Sequence, residues 1–261
     1  MALVPHSLRG LLIDLDGVLY VGNEAIFGAC EALLAIEKQG LSRRFVTNTT
    51  TRTAREVVSK LDQMGFKVSE DEVFSAVTAT VSFLRSQKEG RPRISLIVRE
   101  SVRGEFSEFP EDDEEPDFVI VGDIGAAWSY PLMNRAFRQM NGGAELVAMH
   151  KNKFFETEEG LALDIGAFVE GLEYVTQKSA RIIGKPSRDF FEQGIAALDL
   201  PADQVAMVGD DIDSDVGGGQ AAGLRGILVK TGKYRADQAE QSEVTPDLVL
   251  DSIADLPEKL C

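Results

Sequence analysis

The chain is poor in the residues that build disulfide or zinc frameworks. Its two cysteines, Cys30 and Cys261, have no zinc-ligand or disulfide-framework spacing, which fits a reducing compartment. Its two histidines, His6 and His150, exclude a multi-histidine metal site within one chain. No stretch approaches the roughly 18 continuous apolar residues of a membrane span. Residues 1–6 lack a signal-peptide pattern, so a cytoplasmic protein is expected. Basic residues are outnumbered, 27 Lys and Arg against 43 Asp and Glu, for a net charge of -16. That balance disfavours nucleic acid and anionic membrane as partners. It also means that an anionic substrate needs a local positive site made from a metal, a lysine or backbone N–H groups.

What is present is a core. Apolar residues make up 44% of the 261, which allows one large domain or two small ones. The sequence is organised around Leu11-Leu12-Ile13-Asp14-Leu15-Asp16-Gly17-Val18-Leu19. Leu11, Leu12 and Ile13 read as a buried strand of an α/β sheet. Side chains at i and i+2 leave a strand on one side, so Asp14 and Asp16 are expected to converge at its carboxyl end, where open α/β sheets bind ligands. Gly17 frees the backbone to turn. Two close carboxylates repel, a divalent cation relieves the repulsion, and one carboxylate can then act as nucleophile while the other acts as general acid and base.

Three later segments give that pair a context. A strand at residues 44–46 runs into Thr47-Asn48-Thr49-Thr50-Thr51. Thr53 and Glu56 have capping-box spacing; Thr50, Thr51 and Thr53 are assigned to capping the following helix, whereas Thr47 and Asn48 lie too far upstream to cap it. Ile182-Ile183-Gly184-Lys185-Pro186 places a mobile charge, Lys185, after a strand. Residues 205–208 form an apolar strand entering Gly209-Asp210-Asp211-Ile212-Asp213-Ser214-Asp215. Asp210 is best placed there to join Asp14 and Asp16 around a hard cation such as Mg²⁺, with Asp215 behind it. Gly217-Gly218-Gly219 lacks the Lys-Ser/Thr of a phosphate loop and reads as close helix packing.

From about Thr78 a different unit begins. Strands at 94–98, 118–121 and 146–149 alternate with helices at 133–140 and 165–175. The five carboxylates Glu111 to Glu115 read as a solvated loop without a calcium cage. His150-Lys151-Asn152-Lys153, after a strand and before Phe154-Phe155, reads as an exposed loop whose polar groups could meet a substrate, and the segment from His150 to Glu159 carries no substrate signature. The expected organisation is a doubly wound, Rossmann-like parallel-sheet core, residues 1–78 plus 182–261, interrupted by an inserted α/β unit, residues 79–181.

The four segments in this order resemble the haloacid dehalogenase superfamily of phosphatases, and the insert between the second and third is similar to the type IIA cap of its NagD-like branch. The resemblance implies that Asp14 is the nucleophile and forms an aspartyl-phosphate, and that Asp16 is the acid and base. It implies that Thr47, Asn48 and Lys185 bind the transferring phosphoryl group. Mg²⁺ would be held by Asp14, Asp210 and the Asp16 carbonyl, with Asp211 and Asp215 supporting those ligands. It further implies a small phosphorylated substrate and a homodimer formed through the cap. A phosphotransferase or mutase, and a non-catalytic phosphate-binding protein, are the alternatives on the same scaffold. A signalling receiver domain also combines acidic residues, Thr and Lys, but lacks the insert and the Asp-x-Asp pair.

Overall fold

The computed structural model describes residues 8–87, 91–157 and 160–260. His6, Cys261 and the 158–159 end of the His150 segment lie outside the described residues. The chain divides into two compact units: residues 1–47, 54–74 and 185–261 form the first, and residues 48–53 and 75–184 the second.

The first unit is built on a six-stranded sheet ordered Leu248–Leu250, Arg225–Val229, Val205–Gly209, Gly10–Asp14, Ser42–Thr47 and Val73–Ser75. The pairings among the first five are parallel. Gly10–Asp14 is buried at every position, as its unbroken apolar run requires for a central strand covered on both faces. Its neighbours, Ser42–Thr47 on one side and Val205–Gly209 on the other, come from opposite ends of the chain, so the strand order reverses there. This is the switch point at which open sheets leave a crevice. The register aligns Asp14 with Val46 and Ile13 with Val208. Thr47 and Asp210 therefore emerge beside Asp14. Leu11, Ile13, Phe45, Val208 and Ile227 pack beneath this rim with Leu33, Leu61 and Phe66. The close packing expected of the glycine run holds: a Cβ on Gly218 would lie 2.7 Å from Phe191, and one on Gly219 2.9 Å from Met207.

The second unit carries a four-stranded parallel sheet ordered Arg181–Ile182, Glu145–Ala148, Phe118–Val121 and Ile94–Ile97. Helices Tyr130–Gly142 and Gly166–Thr176 bury Ala136, Met140, Val169 and Leu172 with its strands. The fold is thus an α/β Rossmann-like core with an inserted cap.

Three local expectations change. Ile182 pairs with Ala148 in the cap sheet, so the strand before Lys185 belongs to the cap. Thr50 does not cap the following helix; it is buried, and its hydroxyl accepts the Asp123 N–H at 2.8 Å. The carboxylates of 111–115 lie at the surface, as a solvated loop requires, and are held there by surface pairs. Asp113 accepts from Ser95 at 2.6 Å and pairs with Arg135, while Glu111 pairs with Arg103. His150 is buried rather than exposed; residues 151–153 form the loop, and a hairpin follows, Phe154–Thr157 paired antiparallel with Gly160–Leu163.

Candidate active site

The first strand ends at Asp14, not Asp16. The Gly17 N–H bonds to the Tyr20 carbonyl at 2.7 Å, and Gly17 takes φ +85°, so Asp16 sits in a turn just past the strand's end. Asp14 is buried, and Asp16 is exposed on the turn.

Asp14, Asp210 and Asp215 each offer a carboxylate oxygen within 4.8 Å of the others. Between them sits Lys185, 4% exposed, with Nζ 2.8 Å from Asp14 Oδ1 and 2.7 Å from Asp215 Oδ1. Burial alone would lower the Lys185 pKa; the charges of Asp14 and Asp215 outweigh it and hold the ammonium above its ordinary range. Asp210 is 1% exposed, and burial together with Asp14 and Asp215 pushes its carboxyl up to about 8. Burial, followed by Asp14 against the pull of Lys185, also raises Asp215.

Asp215 is thus part of the acidic group itself and not merely behind it. Its Oδ2 accepts the Asp211 N–H at 3.2 Å. Asp211 turns away from the group: its Oδ1 caps the turn Ile212–Gly217 by accepting the N–H groups of Asp213 and Ser214 at 3.0 and 2.8 Å. Thr47 is buried at the end of the adjacent strand. Asn48 falls in the second unit, where its Oδ1 occupies the room left by Gly184; a Cβ there would lie 2.6 Å away.

The residues fit a divalent cation. Three buried carboxylates face one buried ammonium, and Asp210 Oδ1 is buried without a hydrogen-bond partner among the described residues. Oxygen ligands of this charge suit a hard cation such as Mg²⁺.

The segment from Thr231 to Lys233 carries no motif for this chemistry in its sequence, yet it reaches the site. Thr231, Gly232 and Lys233 follow the strand Arg225–Val229. The Lys233 N–H donates to Asp210 Oδ2 at 2.6 Å, and the Thr231 hydroxyl donates to the Gly17 carbonyl. The available signal was a Thr-Gly pair at the carboxyl end of a sheet strand.

This architecture and acidic centre define an enzyme, a hydrolase of the phosphatase type. The chain belongs to the haloacid dehalogenase-like hydrolase superfamily, in the branch that holds NagD and the nitrophenyl phosphatases. A family model described as haloacid dehalogenase-like hydrolase matches residues 11–109, and a second, HAD-hydrolase-like, matches residues 182–256. Haloacid dehalogenase-like hydrolase domain-containing protein 2 of Bos taurus is 38% identical over 247 residues, covering 95% of this chain and 93% of its own. Phospholysine phosphohistidine inorganic pyrophosphate phosphatase of Mus musculus is 38% identical over 255 residues, with the same coverage of 95% and 93%. Among solved structures, a 4-nitrophenylphosphatase from Thermotoga maritima superposes with a TM-score of 0.92 at 27% identity, covering 98% of each chain.

Proposed function

We propose that this protein is a Mg²⁺-dependent phosphatase that hydrolyses small phosphorylated molecules through an aspartyl-phosphate on Asp14. The observation that carries this reading is the buried Asp14 carboxylate, paired with Lys185 at 2.8 Å inside a cluster of three aspartates.

In this mechanism an Asp14 oxygen attacks phosphorus, and the bond from phosphorus to the leaving oxygen breaks as Asp16 delivers a proton to that oxygen. Asp16, now a carboxylate, takes a proton from a water whose oxygen attacks the aspartyl-phosphate. The bond to Asp14 then breaks, inorganic phosphate departs, and both aspartates return to their starting states. The exposure of Asp16 suits a group that exchanges protons with leaving group and water in turn. Lys185 stays charged throughout, opposing the negative charge gathered on Asp14 and the phosphoryl oxygens. Thr47 and Asn48 are the candidate donors to those oxygens. Mg²⁺, when bound by Asp14, Asp210 and the Asp16 carbonyl, supplies further charge neutralisation.

The same reading takes the protein as a homodimer through its cap, on the strength of the type IIA resemblance, and as cytoplasmic, on its sparse cysteine usage without disulfide-framework spacing. Among the described residues no helix is long and apolar enough to cross a membrane. The Mus musculus relative's name directs the substrate panel toward phosphoamidates and pyrophosphate as well as phosphoesters. The test is phosphate release from such a panel with Mg²⁺, with chelator, and with Asp14→Asn. Mg²⁺-dependent release that disappears in the variant is expected; undiminished release by Asp14→Asn overturns the mechanism.

A further inference from the structure

The loop after the strand Arg225–Val229 touches two parts of the site that lie far apart in sequence. Asp210 is reached by the Lys233 N–H at 2.6 Å, a backbone donor that holds Oδ2 and leaves Oδ1 as the carboxylate's unpartnered oxygen. The turn carrying Asp14 and Asp16 is reached by the Thr231 hydroxyl, which donates to the Gly17 carbonyl. The Gly17 N–H is already bonded to the Tyr20 carbonyl, so the Thr231 bond occupies the remaining polar group of that residue. Between these two bonds the loop lies directly on the turn. A Cβ on Gly232 would fall 2.3 Å from Gly17 Cα and 2.2 Å from Asp210 Oδ2. A Cβ on Gly17 would fall 1.9 Å from the same oxygen and 3.1 Å from Gly232 Cα. Two glycines, both at positive φ, +85° and +60°, thus let two backbones and a carboxylate share a space that no side chain can enter.

We propose that Thr231 and Gly232 are positioning residues that clamp the nucleophile turn to the Asp210 carboxylate, so that one loop sets the distance between the two halves of the cation site. Neither residue need touch substrate. Thr231 acts through the Gly17 carbonyl, and Gly232 acts by allowing the contact. The inference rests on the reading of the acidic cluster as a Mg²⁺ site. The phosphoryl-transfer geometry that this clamp would hold is sensitive to displacements of an ångström.

The test compares wild type with Thr231→Val, Thr231→Ser and Gly232→Ala. Turnover of 4-nitrophenyl phosphate is measured alongside the dissociation constant of Mg²⁺ alone, by calorimetry on protein stripped with chelator. Thr231→Val removes the donor and keeps the shape; it is expected to lower kcat by roughly ten- to a hundredfold, with KM changing less, and to weaken Mg²⁺ by roughly tenfold. Thr231→Ser restores both. Gly232→Ala shows the larger loss of Mg²⁺ affinity. If Thr231→Val does not fold, Thr231→Ala leaves room for a water on the Gly17 carbonyl and reports the same quantities. A folded Thr231→Val or Thr231→Ala with wild-type kcat and wild-type Mg²⁺ affinity overturns the inference while leaving the phosphatase reading intact. A wild-type protein that binds no Mg²⁺ overturns both.

Discussion

Lys185 and Asp215 form an ion pair 2.7 Å long in which the lysine side chain is 4% exposed and the aspartate 1%. Lys185 also pairs with Asp14, so one ammonium neutralises two buried carboxylates. Such a centre contributes little net stability when intact, but losing one partner strands the others without solvent. Lys185→Met is therefore expected to destabilise the metal-free protein by about 3–5 kcal/mol. Urea denaturation in chelator measures this. Saturating Mg²⁺ should recover part of the loss, because the cation offsets the same carboxylates. A Lys185→Met protein as stable as wild type in chelator would contradict the reading of this pair.

Asp210 and Asp215, both raised by burial and by Asp14, add to the pH dependence of the metal-free state in the same direction. The Asp210 carboxyl is pushed up to about 8 from an ordinary 3.8, first by burial and then by Asp14 and Asp215. Across that interval the folded protein holds a proton that the unfolded chain has released. Stability is therefore fully present at low pH with respect to this group and declines as pH rises towards 8. A cation bound at the site must displace the proton, so Mg²⁺ binding at pH 7 should release roughly one proton per ion. Calorimetry in buffers of different ionisation enthalpy reads this directly. A binding heat independent of buffer would show that Asp210 is already ionised.

Gly209 leaves the room that Asp215 takes up beside it. A Cβ there would lie 2.2 Å from Asp215 Cβ and 2.3 Å from Asp215 Oδ2. Gly209→Ala must push Asp215 away from the ammonium, and a fall in kcat of roughly a hundredfold is expected from that displacement. A Gly209→Ala protein with wild-type turnover would show that Asp215's contact with Lys185 is not needed.

Much of this site was legible because it is built on buried strands. Leu11, Leu12 and Ile13 announce a central strand, and Val205 to Val208 announce its neighbour, so the sequence alone puts Asp14 and Asp210 at one end of the sheet. Alternation extends the strand to Asp16 because it says where side chains point but not where pairing ends; Gly17's turn decides that. Thr50 reads as a cap from its sequence because its partner, the Asp123 N–H, is 73 residues away and leaves no local pattern. Ile182 looks like any short apolar strand, and the sheet it joins is settled by pairing with Ala148. The Thr231 to Lys233 clamp is largely a backbone contact, so its signature reduces to two small residues in an otherwise ordinary loop.

Asp211 separates a ligand-supporting role from a structural one. Its Oδ1 accepts from Asp213 and Ser214, and its own N–H donates to Asp215. The side chain therefore builds the turn, while the backbone positions the buried carboxylate. Asp211→Ala should cost about 1 kcal/mol, the usual loss for an N-cap, whereas Asp211→Asn keeps an accepting oxygen and should cost only a few tenths. In both variants the Asp211 N–H remains, so Mg²⁺ affinity should stay within roughly threefold of wild type, a shift of well under 1 kcal/mol. Thermal melting and Mg²⁺ calorimetry on the pair separate the two roles. If Asp211→Asn instead loses Mg²⁺ affinity tenfold or more while melting like wild type, the charge of Asp211, not its cap, is what the site uses.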